Sequence, residues 1–125
     1  MHEAVSRLLD EKTEALETVA PKTSVRRAID RMNERHIGSV LVMEGERLVG
    51  IFTERDVMRA VASEFDAEHH QVGGFMTSDP TTIGPEAEVH EGLSSMFAFG
   101  FRHMPVVEGG RVVGMVSMRD LTPRD

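Results

Sequence analysis

The chain contains its own near-copy. Pro21 to Met58 lies over Pro85 to Thr122 at a constant offset of 64 residues, without a gap. The identities are Pro21/Pro85, Val25/Val89, Met32/Met96, Val42/Val106, Glu44/Glu108, Gly45/Gly109, Arg47/Arg111, Val49/Val113, Gly50/Gly114, Arg55/Arg119 and Asp56/Asp120. Elsewhere apolar residues replace apolar residues, as in Ile29/Leu93, Ile37/Phe101 and Val57/Leu121, and Thr53/Ser117 keeps a hydroxyl. A duplication forces both copies into the same supersecondary unit. A lone unit of ~60 residues has a marginal core, so the pair must be what folds. We expect the copies to pack sheet to sheet around a common interior, related by a pseudo-twofold axis, with equivalent clefts where they meet.

Each copy reads as β-α-β-β-α, an α/β (α+β) pattern. Thr18–Ala20 and Thr82–Ile83 lead in as short strands. Val25, Ala28, Ile29 and Met32 follow at helical spacing, with Ser24 as the N-cap. The second copy has Val89, Leu93 and Met96, with Gly92 weakening its helix. Ser39–Met43 and Arg47–Phe52 form a hairpin around Glu44-Gly45-Glu46, matched by Pro105–Val107 and Arg111–Val116 around Glu108-Gly109-Gly110. A last helix starts at Thr53, with Val57, Met58, Val61, Ala62 and Phe65 as its apolar stripe. Its counterpart is cut short by Pro123. A leading helix is expected over His2–Leu16. The expected division is 1–65 for the first copy with this helix, 66–84 for a linker with one helical turn near Val72–Met76, and 85–125 for the second copy.

Composition narrows the function classes. At 125 residues, 40% hydrophobic and 28% charged, the chain is an ordinary globular domain. It has no cysteine, which excludes disulfides, thiolate metal sites and cysteine nucleophiles. The net charge of −7 argues against broad nucleic-acid binding, yet leaves room for a small anion in a locally basic pocket. No apolar run approaches the ~20 residues of a membrane span, and no signal peptide is visible, so the expected location is the cytoplasm.

Gly50-Ile51-Phe52-Thr53-Glu54-Arg55-Asp56 and Gly114-Met115-Val116-Ser117-Met118-Arg119-Asp120 resemble the G-h-h-[ST]-x-x-D signature of CBS domains, named for cystathionine β-synthase. Phe101-Arg102-His103-Met104-Pro105-Val106-Val107-Glu108 is similar to their second-strand motif, and Phe75-Met76-Thr77 with Pro80 to their lead-in to a second copy. The resemblance covers about residues 15 to 122. It implies a CBS pair, or Bateman module, of the small stand-alone type. Such pairs often bind adenine nucleotides between the copies and commonly dimerise.

Thr53-x-x-Asp56 and Ser117-x-x-Asp120 carry two compatible readings. A hydroxyl at the N-cap with an acid three residues later is close to a capping box, which any helix could use. The same carboxylate can accept both hydroxyls of a ribose, while the hydroxyl and first-turn amides donate to a phosphate. Arg55 and Arg119, one residue before each aspartate, are solvated surface groups or phosphate contacts. Arg102 and His103 put two cations at the start of a strand, as a salt-bridged strand entrance or, as the resemblance implies, as phosphate contacts, and Met104 and Pro105 after them are expected to join the nucleotide site. The first copy has Gly38 and Ser39 there, so the two sites are expected to be unequal. His69-His70 reads as an exposed linker pair, and no metal is expected. Phe97, Phe99 and Phe101 read as core and helix end, or as a dimer face.

No nucleophile elbow, Walker loop or GxGxxG is present. The expected function is a regulatory module that senses AMP, ADP, ATP or NADH and modulates a partner protein, without requiring a cofactor. The alternative is a structural dimerisation or docking module with no ligand. An enzyme acting on nucleotides is the third reading.

Overall fold

The apolar spacing of each copy builds the helix and hairpin it predicts. The computed structural model describes residues 3–11, 16–63, 66 and 69–122. In chain order the elements are α1 (Val5–Glu11), β1 (Thr18–Val19), α2 (Val25–Arg35), β2 (Ser39–Glu44), β3 (Arg47–Thr53) and α3 (Glu54–Ala62). A single 3-10 turn at Val72–Gly74 follows, then β4 (Thr77–Ser78), α4 (Val89–Phe99), β5 (His103–Glu108), β6 (Arg111–Ser117) and α5 (Met118–Leu121). Ser24 caps α2 by accepting from the Arg27 amide at 3.1 Å. Gly45 and Gly109 turn the hairpins with φ of +62° and +58°, a region glycine enters freely. The hairpins even share a register shift, after Val42 in one and Val106 in the other.

Residues 16–80 form one compact unit. Residues 81–125 and the leading segment form the other. In the first, four strands lie in the order β1-β2-β3-β4, with β1 parallel to β2 and the remaining pairs antiparallel. In the second, β5 and β6 pair antiparallel, and Ile83 bridges Val106 in parallel, as β1 does to β2. Each copy has its own core. Val25, Ala28, Met32, Val40, Val42, Phe52 and Val72 are buried together in one; Val5, Met96, Met104, Val106, Val116 and Leu121 in the other.

The leading helix and the linker depart from the expected division. α1 packs with the second copy, not the first: the Val5 amide donates to the Ala87 carbonyl, Ser6 to Pro85 and Val89 to Glu3, at 2.8–2.9 Å. The segment between the copies does the same for the first copy: Val72 donates to Thr23, Gly73 to Pro21 and Val25 to His70, again at 2.8–2.9 Å. These two segments superimpose at an offset of 67, three more than the copies themselves. Val5 matches Val72, both fully buried, and Leu8 and Leu9 match Phe75 and Met76. Each undersized copy is thus completed by a segment lying outside the 38 matched positions of the repeat. The helix itself is shorter than His2–Leu16; His2 lies outside the described residues, and Leu16 is exposed.

The stripe expected on α3 is also corrected. Asp56 and Ala60 are its buried residues, Val57 is half-buried, and Met58 and Val61 are 71% and 62% exposed. The capped aspartate must turn inward, which rotates Met58 and Val61 out. Phe65 and Pro123 lie outside the described residues. Among those described, no helix is long and apolar enough to cross a membrane.

Candidate functional site

Strand register brings the predicted residues together within each copy. Ser39 starts β2 opposite Thr53, the last residue of β3. His103 starts β5 opposite Ser117, the last residue of β6. The residue before each strand then ties down the following helix. The Gly38 carbonyl accepts from the Glu54 amide at 3.1 Å, and the Arg102 carbonyl from the Met118 amide at 2.8 Å. One end of each hairpin therefore gathers the strand start, the capping hydroxyl and the first turn of a helix.

The aspartates sit in full capping boxes in both copies. Asp120 Oδ2 accepts from the Ser117 amide at 2.8 Å, and Ser117 Oγ accepts from the Asp120 amide at 3.1 Å. Asp56 Oδ2 accepts from the Thr53 amide at 2.9 Å and the Thr53 hydroxyl at 3.2 Å, while Thr53 Oγ1 accepts from the Asp56 amide at 3.3 Å. Asp56 goes further. Its Oδ1 accepts from the Thr77 hydroxyl at 3.1 Å and from Arg59 Nη2. Arg59 also reaches Thr77 Oγ1 at 3.4 Å. Asp56 is 1% exposed, whereas Asp120 is half-buried.

The flanking candidates separate into groups. Arg55, Arg102 and Arg119 are exposed, and His103, Thr53 and Ser117 are half-buried. Ser39 is buried at the start of β2. Met104 and Pro105 are buried strand residues, with Met104 in the second copy's core, so their side chains serve packing. Phe97 and Phe99 are exposed, while Phe101 packs on the core with its ring stacked 6.4 Å from Phe99. His69 and His70 are exposed beside Asp66. Glu88, His90 and Glu91 bring ligand atoms within 4.8 Å of one another at the start of α4. His90 and Glu91 are exposed, and the positive end of a helix opposes a cation there.

Sequence reasoning missed Arg59 and Thr77. Arg59 stands three residues after Asp56 on one helix face, a spacing at which side chains meet. Thr77 comes from β4, and no local pattern links it to Asp56.

The CBS-domain model matches residues 5–63 and 72–123, nearly the whole chain in two passes. A 17.7 kDa protein of Acidianus ambivalens is 38% identical over 105 residues, covering 82% of this chain and 63% of that protein. The chain thus spans under two thirds of the curated relatives it matches first. A protein with CBS domains from Burkholderia ambifaria has a solved structure that superimposes with a TM-score of 0.92 at 32% identity, covering 95% of this chain and 90% of that one. A CBS-domain protein of Pyrobaculum aerophilum, solved in complex with AMP, shares the fold with a TM-score of 0.85 at 24% identity, covering 94% and 89%.

Proposed function

Since the chain belongs to the CBS-domain family, as a pair of copies, we propose that it is a regulatory module that binds an adenine nucleotide through the second copy's hairpin end. One observation carries this reading. The β5–β6 register sets His103 opposite Ser117, and the Arg102 carbonyl holds the first turn that contains Asp120. Two potential cations, a hydroxyl and a carboxylate therefore share one end of one hairpin. That is a donor set for a phosphate beside an acceptor for a ribose diol. The AMP complex of the Pyrobaculum aerophilum protein supports the choice of nucleotide. Binding would bias the packing of the module and so signal to a partner protein or a second copy of the chain. Nothing in the reading requires catalysis.

Calorimetric titration with AMP and ATP tests it. Asp120→Ala and Arg102→Ala are each expected to weaken binding about tenfold or more, the loss of a charge-assisted hydrogen bond. Unchanged affinity in both variants overturns the assignment.

A second reading, a docking module without ligand, is favoured by the capping boxes, which give both aspartates a structural task. Melting separates the two. Ligand at ~100 times its dissociation constant adds ~2.7 kcal/mol to stability. No shift with millimolar AMP, ADP, ATP or NADH selects the docking reading.

A further inference from the structure

We propose that Arg59 and Thr77 latch the first-copy carboxylate shut, so that a nucleotide reaches Asp56 only by displacing them. The inference rests on the reading of these aspartates as ribose acceptors. A carboxylate offers about four lone-pair sites. Asp56 has four donors on it: the Thr53 amide and hydroxyl on Oδ2, and the Thr77 hydroxyl and Arg59 guanidinium on Oδ1. Its side chain is 1% exposed, leaving no face for a diol while these contacts hold.

The two donors on Oδ2 belong to the capping box, and the second copy has a capping box too. The two on Oδ1 do not. They come from the third residue beyond the aspartate and from β4, and they also bond each other at 3.4 Å. Arg59 is the movable member, because its side chain is 65% exposed and can swing into water without leaving a buried charge of its own. The repeat places Pro123 at the position of Arg59, so the arginine of this contact is not repeated at the matching position of the second copy. A ligand-competent state that is only a small fraction of the population lowers apparent affinity by that fraction. The latch would thus make one module carry two unequal sites. It would also couple occupancy of the weaker site to β4, which carries Thr77 and pairs with β3 at only two positions.

The experiment isolates the first copy in an Asp120→Ala background and titrates AMP by calorimetry. Arg59→Ala added to that background is expected to tighten AMP about tenfold, the scale of one charge-assisted hydrogen bond. Thr77→Val is expected to act in the same direction, with its packing volume kept. Arg59→Gln serves as a second surface variant, and a cooperative melt of each protein verifies folding. AMP binding through the wild-type second copy with no gain in any of these variants overturns the latch alone. No AMP binding to the wild type or to any variant overturns both the latch and the nucleotide reading. Weaker binding in Arg59→Ala overturns the latch by making Arg59 a ligand contact.

Discussion

The first copy starts α3 with an aspartate buried and held by four donors, whereas the second starts α5 with the same box on a half-buried aspartate. The motif is one; the environment decides its work. In the first copy α3 runs to Ala62 and carries Arg59 back to the carboxylate, and β4 adds Thr77. In the second copy α5 ends at Leu121, and α1 takes the place that the segment leading to β4 has in the first copy. The first copy therefore spends its aspartate on joining helix to sheet, and the second keeps an arginine and a histidine at the adjacent strand start.

That contrast is sharpest in stability. Asp56→Ala strips a cap and leaves the Thr53 amide and Thr77 hydroxyl without their acceptor. We expect a cost of about 2–4 kcal/mol, from a cap worth ~1 and part-buried hydrogen bonds to a charged group worth ~1.5–3. Asp120→Ala should cost about 1 kcal/mol, as a lost cap on a short helix. Urea denaturation measures both. Equal losses would mean that the extra donors on Asp56 contribute nothing, and the distinction between the copies would fail.

The glycines of the two hairpins break the symmetry next. A Cβ on Gly50 would lie 2.6 Å from Met76 Sδ and 2.9 Å from the Thr77 carbonyl oxygen. The three atoms nearest a Cβ on Gly114 would all belong to the Leu9 side chain, the first at 2.5 Å. Methionine and leucine ends can move, but a carbonyl in a paired strand cannot. Gly50→Ala should cost about 2–3 kcal/mol, at the upper end of overpacking, and Gly114→Ala about 1, since Leu9 can adopt another rotamer. Leu9→Ala should relieve Gly114→Ala, whereas Met76→Ala should leave most of the Gly50→Ala cost in place.

A compensated pair lies deeper in the second copy. Ala28 and Val57 of the first copy become Gly92 and Leu121, a smaller residue and a larger one. A Cβ on Gly92 would stand 2.8 Å from Leu121 Cδ1. Gly92 costs α4 helix propensity of ~1 kcal/mol against alanine, and the space for Leu121 is what it provides. Gly92→Ala alone should destabilise by about 1 kcal/mol. Combined with Leu121→Val it should come out better than the sum of the single changes, with a coupling of about 1 kcal/mol in a double-mutant cycle. Strict additivity would remove the compensation.

Much of this was legible from residues. The helical spacing of Val25, Ala28 and Met32, glycines at the hairpin turns and hydroxyl-x-x-Asp at the helix starts are local signals, and local hydrogen bonds carry them out. What was not legible is tertiary. The exchange of upstream segments is written only in Val5-x-x-Leu8-Leu9 against Val72-x-x-Phe75-Met76, a weak match displaced by three residues from the main repeat. The Thr77 contact depends on that exchange, so no spacing rule reaches it. The α3 stripe misled because Met58 and Val61 are apolar, while burial followed the capping aspartate.

The smallest expected effect concerns how the first helix of each copy ends. His36 closes α2 in the left-handed region, at φ 55° and ψ 44°, and its amide donates to Asn33. Its counterpart Gly100 closes α4 at φ 77° and ψ 25°. A side chain with a Cβ is strained there by ~1 kcal/mol, whereas glycine is not. Glycine also loses more backbone freedom on folding, which offsets part of the gain. His36→Gly should therefore stabilise the protein by about 0.5 kcal/mol, and Gly100→His should destabilise it by about 1 kcal/mol. Thermal melts of the two variants would read this as a small rise and a larger fall. A fall in both would mean that the His36 imidazole makes a stabilising contact of its own at the α2 terminus, and that the two helix ends differ by more than their backbone.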